Sequence, residues 1–394
     1  MAYRNQAAGR RPRILIGITS EVSLRLMRGF PEYLDRNGWE VHVVCSPGPL
    51  LSQRALCSPV HFHALKMRRN PAPFHDLRAL LEWIRLFRVV RPDLIAVGTP
   101  KAGLLGGLAG WLTRVPRRVY VQRGLRMETA TGLQRLVLYS AERIAIATAH
   151  TVLAVSPSLK QALVKLKLSR PEKVVVVGEG SSNGVDVREF DPARFSTIRL
   201  DELRATLGLR PGIPTIGYVG RLTRDKGFDV LENAVLQLRE WGIEFDLLIV
   251  GGIDDPSSRK TLDRLLASGL CAASTGAVQD PAIYFQLMDL LCLPTYREGY
   301  PNVVLEAGAS GKPTITTDAT GAIDSVLPGV SGVIVPAGDC DALARELRTL
   351  LANPDRLESM GSAASRHVKK HFDRPAVWQQ LQLFYASQYD SRNE

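Results

Sequence analysis

The stretch LLCLPTYREGYPNVVLEAGASGKP, residues 290–313, contains the pattern of a buried strand, a loop and a helix in direct succession. The four apolar residues LLCL have the length of a strand in a parallel sheet, and a helical pattern begins at Asn302. Gly311 then gives a helix-ending signal. Two glutamates, Glu298 in the loop and Glu306 on the helix, stand where a helix that only packed against a core would need no carboxylate. The chemistry of the chain therefore depends on what these two carboxylates bind.

The same alternation of short apolar runs and amphipathic helices continues along the chain, and it predicts an α/β protein with two parallel sheets. Strands are expected at residues 13–18, 40–45, 93–97, 118–122 and 151–155, and then at residues 173–177, 215–220, 245–250, 290–293 and 314–317. The pattern restarts after residues 169–172, so we place the boundary between two domains there.

Basic residues are concentrated in the first half of the chain. Residues 1–170 contain 27 Lys and Arg against nine Asp and Glu, whereas the remainder contains 23 against 30. This surplus favours an anionic partner, such as a membrane surface, a phosphorylated acceptor or a nucleic acid; a generally basic soluble surface is the plain alternative. The chain shows no signal-peptide or membrane-spanning pattern, and its five cysteines form no CxxC pair, so we expect a cytoplasmic protein with reduced thiols.

The loops after the strands of the second half are the candidate site, because ligands of open α/β sheets bind beyond the carboxyl ends of the strands. Arg221 and Lys226 follow the strand TIGYVG, and Lys226 stands at the start of a helix. Two cations and helix N-termini suit a diphosphate without a metal ion. On its helix, Glu306 is placed to accept hydrogen bonds from a cis-diol such as a ribose, and Glu298 can contact a second polyol. Taken singly, such residues are ordinarily surface charges.

In combination, the segments GYVGRLTRDKGFDVL, TGAVQD, YREGYPNVVLEAGASGKPTITTD and GVSGVIVPAGDCDAL resemble retaining glycosyltransferases of the GT-B fold, in particular family 4 with its E-x7-E signature. The resemblance covers nearly the whole chain. It implies two Rossmann-like βαβ domains facing a cleft, with a nucleotide-sugar in the second domain and a last helix that crosses back to the first. The expected domains are residues 1–170 with about 374–394, for the acceptor, and residues 171–373, for the donor.

The resemblance also implies roles for individual residues. Arg221 and Lys226 would bind the diphosphate, Glu306 the ribose and Glu298 the transferred sugar, with Arg221, Lys226 and Glu298 forming the catalytic set. The other substrate-binding residues that it implies are Gly220, Gly299, Tyr300, Pro301, Asn302, Val278 near the base, Asn183 in the stretch GEGSSNGVD, and Arg123. Transfer would rest on stabilising charge on the departing diphosphate, so neither a protein nucleophile nor a metal or other cofactor is expected.

One position departs from the family pattern. Family members often carry a histidine beside a glycine after the strand that matches residues 118–122, where it contacts the donor sugar. This chain has Arg123-Gly124 instead. Arg123 is therefore expected to meet an acceptor or a phosphate of the leaving group.

The predicted function is transfer of a sugar from a nucleotide-diphosphate donor, expected to be UDP-linked, to a glycan or polyprenyl-diphosphate-linked acceptor in capsular, exopolysaccharide or lipopolysaccharide synthesis. The basic first domain predicts peripheral attachment to the anionic inner face of the cell membrane, and no nucleic-acid partner is expected. A UDP-sugar 2-epimerase and a phosphorylase share the fold and stay open as alternatives. So does a non-enzymatic protein that binds anionic surfaces.

Three other patterns are assigned structural roles. Asp339-Cys340-Asp341 spells the DxD of another transferase fold but precedes a helix, which favours helix capping. His367 and His371 have metal-ligand spacing on a helix but no third ligand near them in the sequence, which favours a solvated helix face. His42, in the strand EVHVVC, is expected to be a hydrogen-bonded core residue.

Overall fold

The computed structural model describes residues 10–68 and 72–391, which form two compact units. One unit contains the chain up to Asn183 together with the residues from Val377 onward, and the other is Gly184–Ala376. The observed division therefore lies downstream of the boundary expected near residues 169–172.

The first unit is built on a seven-stranded parallel sheet with the strand order β3-β2-β1-β4-β5-β6-β7. Its strands are β1 (Arg13–Gly17), β2 (Glu40–Cys45), β3 (His61–Ala64), β4 (Leu94–Gly98), β5 (Arg117–Gln122), β6 (Thr151–Ala154) and β7 (Val174–Val175). Its helices are α1 (Phe30–Arg36), α2 (Pro49–Cys57), α3 (Pro73–Val90), α4 (Pro100–Leu112), α5 (Gly132–Thr148) and α6 (Pro157–Lys165). The central strands are almost continuously apolar and buried, as expected for a parallel sheet covered on both faces.

Strand β7 accounts for the displaced boundary. Its two valines pair in parallel with β6, so this run extends the first sheet. The prediction that residues 173–177 open the second domain is wrong, because the alternation of strands and helices does not say which sheet a strand joins. The chain remains in the first unit through Gly180, where φ is +104° and an added Cβ would lie 2.4 Å from the carbonyl oxygen of Val155. Only glycine fits there without strain.

The second unit contains a six-stranded parallel sheet with the order β10-β9-β8-β11-β12-β13. Its strands are β8 (Thr215–Val219), β9 (Asp246–Val250), β10 (Ala273–Ser274), β11 (Leu290–Leu293), β12 (Thr314–Thr317) and β13 (Gly332–Val335). Its helices are α7 (Thr197–Thr206), α8 (Phe228–Glu240), α9 (Pro256–Ala267), α10 (Ala282–Gln286), α11 (Asn302–Ala309), α12 (Cys340–Leu351) and α13 (Pro354–His371). Apolar residues of the sheet, α8, α9 and α12 form one buried core.

The last helix, α14 (Arg374–Asp390), begins in the second unit and continues in the first, which confirms the predicted return of the chain. Within the first unit, Trp378 packs against Phe30 of α1, and its indole N–H donates to Oδ1 of Asn183 at 2.7 Å. The Nδ2 group of Asn183 donates to the carbonyl oxygen of Arg28 at 3.2 Å. Both ends of this buried amide thus tie α14 to the unit. A part for Asn183 in substrate binding stays a prediction.

A buried polar cluster connects β5 to α5 in the first unit. Oε2 of Glu142 accepts hydrogen bonds from the hydroxyl of Tyr120 at 2.8 Å and from the side-chain amide of Gln122 at 3.1 Å. Burial raises the pKa of Glu142 to about 7, and the two hydrogen bonds oppose this rise only in part. At neutral pH the cluster therefore holds a carboxyl group that is close to half protonated.

Glu142 should make stability depend on pH. A carboxyl whose pKa is raised by folding keeps its proton between pH 4.5 and about pH 7 while the unfolded chain loses it, so stability falls as the pH rises through that range. Glu142→Gln keeps an acceptor for Tyr120 and removes the charge. Differential scanning calorimetry should therefore show the wild-type midpoint falling relative to Glu142→Gln from pH 5 to pH 7.5.

The matched control for this comparison is Glu172→Gln at an exposed position. Its midpoint should stay parallel to that of the wild type across the same range. A pH-independent difference for Glu142→Gln would contradict burial as the origin of the raised pKa.

Candidate functional site

Two loops meet at the carboxyl edge of the second sheet. Loop A (residues 220–227) follows β8, and loop B (residues 294–301) follows β11, the strand next to β8. Because neighbouring parallel strands end at the same edge of a sheet, the polar residues of both loops are brought to one side of the unit.

Asp225 connects loop A to loop B. Its main-chain oxygen accepts from the N–H of Tyr296 and from the hydroxyl of Thr295, both at 3.0 Å. Its carboxylate accepts from Nη2 of Arg297 at 2.5 Å. The Asp225–Arg297 pair could not be predicted from the sequence, because charged residues in two separate loops carry no pattern that indicates their contact.

Gly227 allows the two loops to approach this closely. Its φ is +68°, and an added Cβ would lie 1.7 Å from the carbonyl oxygen of Pro294. Any other residue would have to move loop B away. Gly227 also precedes the first residue of α8, so this contact fixes where that helix starts.

Lys226 of loop A and Glu298 of loop B form an ion pair, and their side chains are only 19% and 13% exposed. Partial burial makes such a pair stronger than one in open solvent. The structure thus brings together the two residues to which the sequence assigned the diphosphate and the transferred sugar.

Arg221 lies at the exposed rim of the site, where its guanidinium pairs with Asp254. Asp254 belongs to the segment after β9, which is joined to loop A through Leu222: the N–H of Leu222 donates to the oxygen of Gly252 at 2.9 Å, and Leu222 accepts from the N–H of Asp254 at 3.2 Å. The predicted diphosphate residues therefore differ in setting, with Lys226 partly buried and Arg221 exposed.

Gly220 and Ala277, the neighbour of Val278 in the chain, both lie close to this third segment. An added Cβ on Gly251 would be 1.7 Å from the carbonyl oxygen of Gly220, and one on Gly252 would be 3.4 Å from the Cβ of Ala277. The Ala277–Val278 loop, predicted to lie near the base, thus borders the segment after β9.

The N-terminus of α11 completes the site. Pro301 precedes the helix without providing a side-chain cap. Within residues 10–68 and 72–391, the N–H groups of Asn302 and Val303 have no acceptor, and the buried Oδ1 of Asn302 has no hydrogen-bond partner. These free donors stand at the positive end of the helix dipole, which favours an anionic ligand.

Glu298 and Gly299, which precede α11, are held in place by Thr320 and Gly321 of the segment after β12. The N–H of Glu298 donates to the oxygen of Thr320 at 3.0 Å, and an added Cβ on Gly321 would be 2.3 Å from the oxygen of Gly299. Tyr300 points its ring into the protein, where its hydroxyl donates to the oxygen of Asp324 at 3.0 Å. A substrate contact by Tyr300 is therefore confined to its main chain.

Glu306 lies one turn into α11 and is half-buried. Burial raises its pKa to about 7; the positive charge of Arg374 opposes this rise and the negative charge of Glu189 adds to it. No donor within the described parts of the chain bonds its carboxylate. A half-buried carboxyl without an internal partner is a candidate ligand-binding group.

Arg123 belongs to the first unit, where it follows β5 and lines a small cavity together with Met27, Ser181 and Tyr385. Its buried Nε group has no hydrogen-bond partner within residues 10–68 and 72–391, and burial lowers the pKa of the guanidinium. A buried N–H beside a cavity is compatible with the predicted contact to an anionic group. This role stays a prediction.

The structure shows where the Asp339-Cys340-Asp341 triplet and the His367–His371 pair, both assigned structural roles above, lie. Oδ1 of Asp339 accepts from the N–H of Ala342 at 2.8 Å, so the DxD triplet caps α12 as predicted. The rings of His367 and His371 lie 5.0 Å apart, and His367 also packs against Phe372. Among the described residues, the group of side chains whose ligand atoms lie close enough to hold a metal ion is Glu40, His42 and His61, so it includes neither His367 nor His371.

Both halves of the chain match glycosyltransferase family models. Residues 25–189 match the model described as Glycosyltransferase Family 4, and residues 213–353 match Glycosyl transferases group 1. The chain is 36% identical over 369 residues to the capsular polysaccharide biosynthesis glycosyltransferase CapM of Staphylococcus aureus, an alignment covering 93% of this chain and 95% of CapM. The chain belongs to glycosyltransferase family 4.

More distantly related proteins and solved structures are also similar to this chain. The D-inositol 3-phosphate glycosyltransferase of Nocardia farcinica is 30% identical over 282 residues, covering 67% of this chain and 60% of that protein. A glycosyltransferase from Rickettsia africae has a TM-score of 0.79 at 19% identity, covering 97% and 99% of the two chains. Anabaena HepE, solved with UDP and glucose, has a TM-score of 0.77 at 20% identity, covering 95% and 100%. These structures establish the GT-B fold.

In this glycosyltransferase, substitution of Gly227 should lower stability far more than substitution of Gly242, although the two glycines have nearly the same φ. The φ values are +68° and +72°, but an added Cβ at Gly242 meets nothing within 4 Å. Gly242→Ala should cost about 1–2 kcal/mol for the left-handed backbone alone. Gly227→Ala should cost a further ~1–3 kcal/mol for the clash with loop B. Urea unfolding measures both, and equal losses would show that loops A and B can separate freely.

Proposed function

We propose that this family 4 enzyme transfers a sugar from a UDP-sugar to a glycan or polyprenyl-diphosphate-linked acceptor in capsular polysaccharide synthesis, with retention of anomeric configuration and without a metal ion. The observation that carries the proposal is the meeting of Lys226, Glu298 and the uncapped start of α11 at one edge of the second sheet. The part of CapM in capsular polysaccharide biosynthesis supports the pathway, and the UDP and glucose bound by HepE support the donor class.

The diphosphate is held by Lys226, by the N–H groups at the start of α11 and by Arg221. A lysine ammonium has three donors, so Lys226 can contact a phosphate oxygen while it keeps its bond to Glu298. Arg221 exchanges its exposed partner Asp254 for phosphate at little cost, because exposed ion pairs are weak. These cations and the helix dipole supply the charge compensation that a divalent metal gives in other transferases.

Glu298 and Glu306 bind the two ends of the donor. Glu306, whose carboxylate has no hydrogen-bond partner among the described residues, accepts from the two hydroxyls of the ribose. Glu298, fixed by Lys226 and by the N–H that it donates to Thr320, accepts from hydroxyls of the transferred sugar. Neither carboxylate serves as a nucleophile in this scheme.

Transfer depends on stabilising the departing diphosphate. As the bond between the anomeric carbon and the diphosphate breaks, negative charge grows on the oxygen that leaves. Donors that are already in place for that charge lower the barrier, because they need no reorganisation during the reaction. The acceptor hydroxyl attacks from the side of the leaving group and gives its proton to a phosphate oxygen, which keeps the anomeric configuration.

The test is transfer by the purified enzyme from a panel of UDP-, GDP- and ADP-sugars to a lipid-diphosphate acceptor. We expect a UDP-sugar to react, NMR to show a retained anomeric configuration, and the initial rate to be unchanged by EDTA. The double variant Arg221→Ala, Lys226→Ala should lose at least 100-fold in rate, and Glu306→Gln should weaken UDP binding about tenfold or more. Because the pKa of Glu306 is about 7, wild-type UDP affinity should rise more steeply from pH 6 to pH 8 than that of Glu306→Gln, whose remaining rise comes from the second ionisation of the UDP phosphate.

Other outcomes select the alternatives. Conversion of the UDP-sugar without an acceptor would identify an epimerase, and a strict need for inorganic phosphate would identify a phosphorylase. Near-normal transfer by the double variant would overturn the diphosphate site.

We also propose that the first unit binds an anionic membrane surface in a peripheral manner. No helix in the described part of the chain combines the length and apolarity needed to cross a bilayer. The solvent-facing stripe of α5, however, is apolar: Leu133 is 76% exposed and Leu136 60%, and Val137 and Ile144 extend the stripe. Two arginines, Arg135 and Arg143, lie on the same helix.

The start of α3 presents a second apolar group, with Phe74 89% exposed and Leu77 also exposed. Both α3 and α5 pack against α4, so the three helices form one layer. Their first turns all follow strands of the first sheet and lie at its carboxyl edge. Exposed aromatic and aliphatic side chains beside arginines are typical of helices that lie in the interface of an anionic bilayer.

A double variant of the α5 stripe tests this surface. Leu133→Asp, Leu136→Asp should reduce flotation with vesicles containing phosphatidylglycerol at least tenfold. Each change removes apolar area that the bilayer would bury and adds a negative charge that the anionic lipid repels. Ile198→Asp, at an equally exposed apolar position in the second unit, should leave flotation unchanged. Equal binding by the double variant, or equal binding to neutral phosphatidylcholine vesicles, would contradict the proposal.

A further inference from the structure

Three histidines and a glutamate share one face of the first sheet at its open edge. β3 is the edge strand, and it pairs in parallel with β2 so that His42 lies opposite His61 and Val44 opposite His63. Side chains alternate along a strand, and residues in register share a face. Glu40, His42, His61 and His63 are therefore neighbours on one face. The proposed sugar transfer uses none of them.

The four side chains are in close contact. His42 Nε2 is 3.1 Å from Oε1 of Glu40, and His42 Nδ1 is 3.0 Å from Nε2 of His63. The ring of His61 stacks on that of His42 with their centroids 4.7 Å apart. One ligand atom each from Glu40, His42 and His61 lie within 4.8 Å of one another.

We propose that Glu40, His42 and His61 form a binding site for a transition-metal ion of the Zn²⁺ type. Two imidazole nitrogens and a carboxylate oxygen are a ligand set that Zn²⁺ uses, with a fourth position left to water or another ligand. His42 is buried, Glu40 half-buried and His61 exposed. An ion can therefore enter from solvent beside His61 and reach His42, whose ring is held by the packing around it.

His63 is a positioning residue in this site. A metal ligand needs a free lone pair on His42 Nε2, which requires the proton on Nδ1. His63 Nε2 stands 3.0 Å from that nitrogen and can accept the proton's hydrogen bond. Metal-binding histidines ordinarily have such a partner on the nitrogen that does not bind the metal. Here it comes from the neighbouring strand.

Arg13 fixes the carboxylate. Its Nε is 2.9 Å from Oε1 and 3.0 Å from Oε2 of Glu40, and its Nη1 donates to the oxygen of Val90. The guanidinium orients Glu40, but it also places a positive charge beside the ion. We therefore expect binding of intermediate strength, with a dissociation constant in the micromolar range, rather than that of a structural zinc site.

A bound ion would join β3 to β2 across the edge of the sheet. β3 has only four residues and one hydrogen-bonded neighbour strand, so cross-strand ligands add a link that its own ladder lacks. Since the ion binds the folded chain, it should raise the thermal midpoint in proportion to its saturation.

The test uses the full chain without an affinity tag. Titration with Co²⁺ should give visible absorption bands that saturate at one equivalent, and Zn²⁺ should displace Co²⁺. His61→Ala, at an exposed position, should weaken Zn²⁺ binding at least tenfold without lowering the midpoint measured in EDTA. His63→Ala should weaken binding about tenfold while the stoichiometry stays at one, as for other residues that orient a ligand.

The matched control is His367→Ala, which removes one member of the other close histidine pair. Its Zn²⁺ affinity should equal that of the wild type. The proposal is overturned if the wild type binds no saturating equivalent, if His61→Ala binds as tightly as the wild type, or if His367→Ala loses the site. Sugar transfer measured in EDTA is independent of all three results, so failure here leaves the proposed transfer untouched.

Discussion

The site of the second unit depends on the contact between loops A and B. Asp225 bonds Tyr296, Thr295 and Arg297, and Gly227 lies against the oxygen of Pro294. Without this contact, the ends of β8 and β11 would still be neighbours, but Lys226 and Glu298 would be free to move apart. The hydrogen bonds of the loops are made mainly by backbone groups and by side chains that the proposed transfer does not use. The residues proposed to act are thus held in place by their neighbours.

The electrostatics of the site follow from the same arrangement. Loop A contributes cations, loop B a carboxylate, and α11 the unbonded N–H groups at its start. Each would be unfavourable if it were buried alone, yet each is left at the edge of the sheet where a charged ligand can complete it. Glu306 shows the cost of burial most directly, because burial raises its pKa to about 7. An ionised carboxylate becomes favourable there only when hydroxyl donors reach it.

Much of the fold was predictable because long apolar runs such as those of β4, β8 and β9 are buried on both faces and carry a strong signal. The short edge strands β3 and β10 were not predictable: β3 contains two histidines and no branched aliphatic residue, and β10 has two residues. β7 was recognised as a strand but assigned to the wrong sheet, since pairing is a long-range property. The roles predicted for Lys226 and Glu298 came from the motifs around them, whereas the Asp225–Arg297 contact required coordinates.

For His42, the sequence of its own strand predicts burial but does not predict which residues contact its ring. The sequence EVHVVC predicted a hydrogen-bonded core histidine, and the structure confirms that it is buried and bonded. Its partners, however, come from β3, a strand that periodicity missed. Asn183 carries a similar lesson, because both of its hydrogen bonds reach residues far away in the chain, Arg28 and Trp378.

The path of α14 has a consequence for how the protein is made. The second unit is continuous, from Gly184 to Ala376, whereas the first needs residues from Val377 onward, including the Trp378 that bonds Asn183. During synthesis the ribosome releases the chain from its N-terminus, and domains usually fold in that order. Here the unit that emerges first is the last to have all its residues. Until the residues after Val377 have left the ribosome, the side of α1 that packs against Trp378 remains uncovered, so the first unit cannot complete its packing before the whole second unit has been synthesised.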